Sequence, residues 1–271
     1  METLDPATAV CGAFEQPDKQ WCVEVHFAQP PDLEPLRSMF AAASSEALAR
    51  RLVVDKIPAR DWVKESLAGL APVGAGRFLV HGAHDRARVP PNRICIEIEA
   101  ATAFGTGHHG TTRGCLLALD ALARHQAPRH ILDLGTGSGV LAIAAAKLWR
   151  APVLATDIDI HAVRAARGNA AKNGVRGLVE TVQAAGLTAP RVAACAPFDL
   201  VLANILLTPL QRLAAPLARS LWPHARVVLS GVLAGQAEAA ISAYRSQGLM
   251  LERRIPLDEW VTLVMVAASR R

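Results

Sequence analysis

The chain has 271 residues, 51% of them hydrophobic and 20% charged, a composition that excludes a disordered chain and suits one large domain with or without a smaller partner. Its formal net charge of +5 is compatible with an RNA-rich partner and equally with an ordinary basic protein. Five scattered cysteines without C-x-x-C spacing give little support to a disulfide framework or zinc site, and no run reaches the roughly 20 apolar residues of a membrane span.

The opening run Met1-Glu2-Thr3-Leu4-Asp5 lacks the basic and apolar regions of a secretory leader, so a cytoplasmic protein is expected. Trp21–Phe27 alternates with period two and predicts a strand. A helix is expected over residues 32–49 and a short strand over 51–54, which makes residues 1–58 a small α+β domain. Residues 59–72 read as a linker whose helix, 61–67, is closed by Gly69 and Pro72. Residues 73–271 then form the larger domain, opening with strands at 77–80 and 94–98 around an exposed loop.

From Thr112 the rhythm becomes strand, glycine turn, helix. Strands are expected at 131–134, 153–156, 198–203 and 227–230, with helices at 140–148, from Asp159 to Asn173-Gly174, at 209–221 and at 234–247. Two closing strands, 249–254 and 261–267, have no helix between them and predict an antiparallel hairpin. The fold class expected is therefore α/β, a mostly parallel Rossmann-like sheet covered on both faces, with an antiparallel edge hairpin and the small N-terminal domain.

The run Asp133-Leu134-Gly135-Thr136-Gly137-Ser138-Gly139 joins a strand to a helix N-terminus. Glycines there let a ligand approach the backbone, and the free N–H groups of the helix start attract polar ligands. A dinucleotide fingerprint beginning at Gly135 needs Gly or Ala at position 140, where Val140 stands. The acid followed by G-x-G-x-G is instead the pattern of class I methyltransferases, with a plain glycine turn as the alternative. Asp157 ends the next strand, where a carboxylate can accept both ribose hydroxyls of a nucleoside or can simply hold a turn. Asp159 is expected to cap the following helix.

A third run, Leu202-Ala203-Asn204-Ile205-Leu206-Leu207-Thr208-Pro209-Leu210, places Asn204 at the end of an apolar strand. Its amide oxygen could accept N–H bonds from an incoming amine; closing a turn is the plainer alternative. No aromatic ring follows to stack on a base, which favours an aliphatic amine. Residues 103–112 read as a lid loop over the ligand, with the Thr111 and Thr112 hydroxyls within reach of it. His108 and His109, like His81 and His84, have no carboxylate or cysteine partner at metal-ligand spacing, so no metal site is expected.

On residues 103–112, 131–147, 156–174 and 203–210 the sequence resembles the bacterial methyltransferase family of ribosomal protein L-eleven (L11). The resemblance implies a class I methyltransferase with S-adenosyl-L-methionine (S-adenosylmethionine) as cofactor. Its partner would be ribosomal protein L11, free or on the ribosome, methylated on lysine ε-amines and an α-amine. RNA contact would come only through the ribosome; no membrane partner is expected, and the protein should act as a monomer. Cofactor contacts are implied at Thr112, Gly135, Gly137, Asp157 and Asn204, with Asn204 also the catalytic residue. The family's N-terminal domain is a ferredoxin-like substrate-recognition unit, and residues 1–58 read as beginning after its first strand and helix: a shortened domain, a start downstream of the real one, or a different mode of substrate capture. The lid departs from the family in His108 and Gly110, where Thr and Pro are more usual, and keeps His109. Other readings are a methyltransferase of another amine or RNA acceptor, a non-catalytic S-adenosylmethionine-binding module, and an NAD-dependent oxidoreductase, which would need the glycine that Val140 replaces.

Overall fold

The computed structural model describes residues 9–15, 21–27, 31–45, 49, 52–53, 72–98 and 109–269. The chain divides into two compact units, Met1–Arg60 and Asp61–Arg271. The helix expected at 61–67 lies outside the described residues.

In the first unit, strand β1 (Ala9–Glu15) pairs antiparallel with β2 (Trp21–Phe27), Ala9 opposite Phe27 and Glu15 opposite Trp21. The sequence reading finds β2 and not β1, whose apolar alternation is broken by Gly12. Helix α1 (Leu33–Ala43) is interrupted at Ser44, whose hydroxyl and N–H both donate to the Phe40 carbonyl, and Ala49, the expected end, is again helical with its N–H on the Ser45 carbonyl. A hydroxyl that competes for a helical carbonyl in this way favours termination. Leu52 and Val53 do not form the expected strand, and Val53 is 78% exposed.

The second unit begins with a three-stranded sheet: β3 (Val73–Ala75) antiparallel to β4 (Phe78–His81), and β4 parallel to β5 (Ile94–Glu97). The segment between β4 and β5 contains a 3-10 helix, Ala83–Arg88. Arg86 holds the Glu97 carboxylate through two 2.6 Å bonds. The Asn173 amide pairs with the Glu97 backbone in both directions, so this small sheet is tied to the end of a distant helix.

Helix α2 (His109–Leu122) follows, then β6 (Ile131–Leu134), α3 (Val140–Trp149), β7 (Val153–Asp157), α4 (Ile160–Lys172) and β8 (Val179–Gln183). Next come α5 (Pro190–Cys195), β9 (Phe198–Asn204), α6 (Leu207–Arg219), β10 (Leu221–Leu233), α7 (Ala237–Arg245), β11 (Leu249–Leu257) and β12 (Trp260–Ala267). The seven strands from β6 onward lie in the order β11-β12-β10-β9-β6-β7-β8. All pairs are parallel except those of β12, which is antiparallel to both neighbours, as the expected edge hairpin requires.

The strands are apolar almost throughout because helices cover both faces. Period two divides each strand between two cores. Ile131, Leu200, Leu202 and Val228 face α2 and α3, while Leu132, Leu134, Val201, Ala203, Val227 and Leu229 face α6 and α7. Helix α3 is nearly all alanine where it is most deeply buried (Ala142, Ala144, Ala145, Ala146), so it lies close against the sheet. Strand order reverses between β6 and β9, which opens a crevice at the carboxyl ends of the strands, the usual ligand position in open α/β sheets.

Candidate active site

Three neighbouring parallel strands, β7, β6 and β9, deliver Asp157, the glycine loop and Asn204 to that crevice. Behind the loop stands Asp133, 1% exposed. Its Oδ2 accepts the Thr136 hydroxyl at 2.6 Å and the Ala142 N–H at 3.1 Å, so one oxygen fixes both the turn and the first turn of α3. Burial pushes its carboxyl up to about 6; the Thr136 and Ala142 bonds oppose the shift and the nearby Asp157 adds to it.

The glycines do different work. Gly135 is exposed, with φ +67°, and a Cβ there would overlap the Cγ2 methyl of Ile205. Gly137 has open space where a side chain would be, leaving its backbone approachable. At Gly139 a Cβ would sit 3.0 Å from Ala166, so this glycine serves the packing of α3 on α4 rather than a ligand. Val140 points into the core.

Both Asp157 oxygens take backbone N–H groups, Oδ2 from Gly137 at 2.9 Å and Oδ1 from Asp159 at 3.0 Å. The turn-holding role is therefore present in the structure, and each carboxylate oxygen keeps a second lone pair for a ligand hydroxyl. Asp159 caps α4 as expected, accepting the His161 N–H at 2.8 Å. Asn204 is half-buried, and its Nδ2 donates to the Thr111 hydroxyl at 3.3 Å. That bond uses one hydrogen of the amide nitrogen, and Oδ1 retains its acceptor capacity.

Thr111 and Thr112 lie on helix α2, both buried, rather than on the loop the sequence suggests. The lid reading of residues 103–108 falls outside the described residues. The misreading arises because α2 begins His109-Gly110-Thr111-Thr112, poor helix formers, with apolar spacing only from Cys115. The glycines fit tertiary contacts: a Cβ on Gly110 would lie 3.1 Å from Trp260, and one on Gly114 would overlap the Thr262 hydroxyl.

Sequence reasoning misses the polar string behind Asn204. The Ser230 hydroxyl donates to the Thr111 carbonyl at 3.2 Å and shares a 2.9 Å bond with Thr262. Cys115, fully buried beside both hydroxyls, is pushed up to about 12 by burial and stays a thiol. The available signal is the Ser230-Gly231 pair, which interrupts the apolar run of residues 227–233. His81 and His84 are occupied structurally, by the Gly82 carbonyl at 2.8 Å and Asp85 at 3.1 Å. Among the described residues no three metal-ligating side chains converge.

A carboxylate with spare acceptors, an approachable glycine turn and an amide acceptor suit a nucleoside carrying a small polar tail. Ile158 and Leu206, 71% and 67% exposed, add apolar surface beside Asp157 and Asn204. With Val140 in the core, the third glycine of a pyrophosphate fingerprint is lacking. The donor set thus fits S-adenosylmethionine better than NAD.

Comparison with known proteins agrees. The family model described as Ribosomal protein L11 methyltransferase (PrmA) matches residues 7–268. Ribosomal protein L11 methyltransferases of Rhodopseudomonas palustris (strain BisB5) and Bradyrhizobium diazoefficiens are each 54% identical over 264 residues, spanning 97% of this chain and 90% of the relative. The crystal structure of a ribosomal protein L11 methylase from Lactobacillus delbrueckii subsp. bulgaricus superposes with a TM-score of 0.65 at 27% identity, over 73% of this chain and all of that one. The chain therefore belongs to the ribosomal protein L11 methyltransferase family, class I enzymes that use S-adenosylmethionine.

Proposed function

We propose that the chain methylates lysine ε-amines and an α-amine of ribosomal protein L11, with Asn204 aligning the amine. The supporting observation is the place of Asn204 at the end of β9, beside the strand that leads into the glycine loop, with its amide nitrogen bonded to Thr111. In this reading Asp157 takes the ribose hydroxyls on its spare lone pairs, Gly135 and Gly137 line the nucleoside, and Thr112 stands by the polar tail. The bound S-adenosylmethionine supplies a methyl already activated by a sulfonium, so positioning carries much of the catalysis.

The amine is the harder partner. A lysine of pKa about 10.4 is only about 0.1% neutral near pH 7.4. Asn204 Oδ1 can accept an N–H of the neutral form and aim its lone pair, and the apolar Leu206 beside it disfavours the charged form. Asp133 is buried behind the loop and bonded to Thr136 and Ala142, so it is not placed to act as base. The proton is therefore lost to solvent before the amine docks. The substrate-recognition role belongs in this proposal to residues 1–58, with the protein a cytoplasmic monomer that meets RNA only through the ribosome. Among the described residues no helix is long and apolar enough to cross a membrane.

Labelled methyl transfer to isolated ribosomal protein L11 and, separately, to ribosomal RNA tests the reading. Label is expected in the protein; label confined to RNA would overturn it. Asn204→Ala is expected to lower kcat by roughly 10²-fold, in the range of a lost positioning contact. A wild-type rate from that variant would remove Asn204 from the mechanism.

A further inference from the structure

Ile205 follows Asn204 and is held from two sides. Its backbone crosses β10 at Gly231, whose φ is +79°; a Cβ there would lie 2.5 Å from the Ile205 carbonyl oxygen and 3.0 Å from its nitrogen. The crossing occurs where the β10–β12 register shifts between Leu229 and Val232, and the Ile205 N–H donates to the Ser230 carbonyl at 3.1 Å. A bulge of this kind re-aims the backbone next to a site. On the other side, the Ile205 Cγ2 methyl fills the place where Gly135 would carry a Cβ, while the Ile205 Cβ itself is 3.9 Å from that place. One methyl group therefore sets the separation between the glycine loop and the turn that carries Asn204.

We propose that Ile205 is a positioning residue, a wedge whose Cγ2 methyl couples the cofactor loop at Gly135 to the alignment of Asn204. The inference rests on the reading of Gly135 as a cofactor contact and of Asn204 as the amine acceptor. Both reactants of the transfer are then spaced by one side chain that touches neither reacting atom. Neither glycine can be exchanged without moving Ile205: the Gly135 contact is to its side chain and the Gly231 contact is to its backbone. The Gly231 side is rigid, because the β9–β10 ladder runs on to Ser230 opposite Asn204. Motion left by a lost methyl therefore appears at the Gly135 side, between loop and amide. A misplacement near 1 Å can cost roughly 10²-fold in rate.

The test is a double-mutant cycle read on two quantities, the dissociation constant for S-adenosylhomocysteine by calorimetry and kcat for ribosomal protein L11. Ile205→Val keeps Cγ2 and is expected within about threefold of wild type in both. Ile205→Ala is expected to lower kcat by roughly 10- to 100-fold while weakening S-adenosylhomocysteine binding much less. Gly135→Ala is expected to weaken that binding by at least about tenfold through overlap with Cγ2 and strain at positive φ. In the Ile205→Ala background the same glycine change should cost at least about threefold less, because only the more distant Cβ remains. In the Ile205→Val background the cost should be undiminished. Should Ile205→Ala not fold, Ile205→Leu, which is unbranched at Cβ and conserves volume, carries the same comparison. Equal Gly135→Ala costs on all backgrounds, or a Val variant as impaired as the Ala variant, would overturn the wedge. Wild-type protein that fails to bind S-adenosylhomocysteine would overturn the cofactor reading and the wedge together; additive penalties in a protein that binds and transfers normally sink the wedge alone.

Discussion

Asp133 brings a carboxylate into the wall behind the glycine loop, and its protonation links stability to pH. Its folded-state value, about 6, lies above the ordinary 3.8. Between about pH 4 and 6 the unfolded chain releases this proton while the folded chain keeps it. Stability therefore falls as pH rises through that window and levels off above it. The shift corresponds to about 3 kcal/mol, as an order of magnitude. Asp133→Asn can keep one oxygen facing Thr136 and Ala142 without the ionisation, so its urea midpoint is expected to lack this part of the decline between pH 4 and 7. Parallel declines in both proteins would show that another group is responsible. At the next polar contact, Thr111→Val removes the acceptor of the Asn204 amide nitrogen. A hydrogen bond worth about 1 kcal/mol converts to a roughly fivefold lower kcat. Thr111→Ser should restore the rate, and S-adenosylhomocysteine affinity should not change in either variant.

At the scale of elements, helices α2 and α4 each carry a glycine with opposite expectations. Gly114 of α2 faces the Thr262 hydroxyl, which is buried and bonded to Ser230 and cannot give way. Gly114→Ala is expected to destabilise by about 1–3 kcal/mol despite better helix propensity. Gly168 of α4 is exposed with nothing near its missing Cβ, so Gly168→Ala should stabilise by about 0.5–1 kcal/mol. Thermal denaturation of the two variants decides both signs. The same contrast explains which elements were legible in the sequence. The strands β6, β7 and β9 announce themselves as short apolar runs bounded by Asp, Gly or Asn, and so does the hairpin of β11 and β12. Strand β8 is an edge strand with exposed Glu180 and Gln183, and its pattern is too polar to stand out. Helix α2 hides behind glycines whose justification lies on β12, well over a hundred residues away, and propensity contains no such information. In the site, Asp157 and Asn204 follow from their places at strand ends. The Thr111–Ser230–Thr262 string depends on three elements meeting, which no local pattern encodes.

For the whole molecule, the division into two compact units predicts separable losses. A chain starting at Asp61 contains the glycine loop, Asp157, Asn204 and both cores of the larger sheet. It is expected to bind S-adenosylhomocysteine as the full chain does, while methylation of ribosomal protein L11 falls mainly through KM. Loss of cofactor binding on truncation would show that the first unit does more than capture substrate. The position of β12 has a consequence for the order of events on the ribosome that makes this enzyme. Strand β12 lies between β10 and β11 although it follows both in sequence, and it brings Thr262 to the rear of the site. Until β12 has emerged from the exit tunnel, β10 presents an open, apolar edge and Ser230 lacks its Thr262 partner. Such an edge is the kind that recruits stray strands from neighbouring nascent chains. A chain without β12 therefore keeps the glycine loop, Asp157 and Asn204 in its sequence but loses the Thr262 hydroxyl that supports Ser230 behind them.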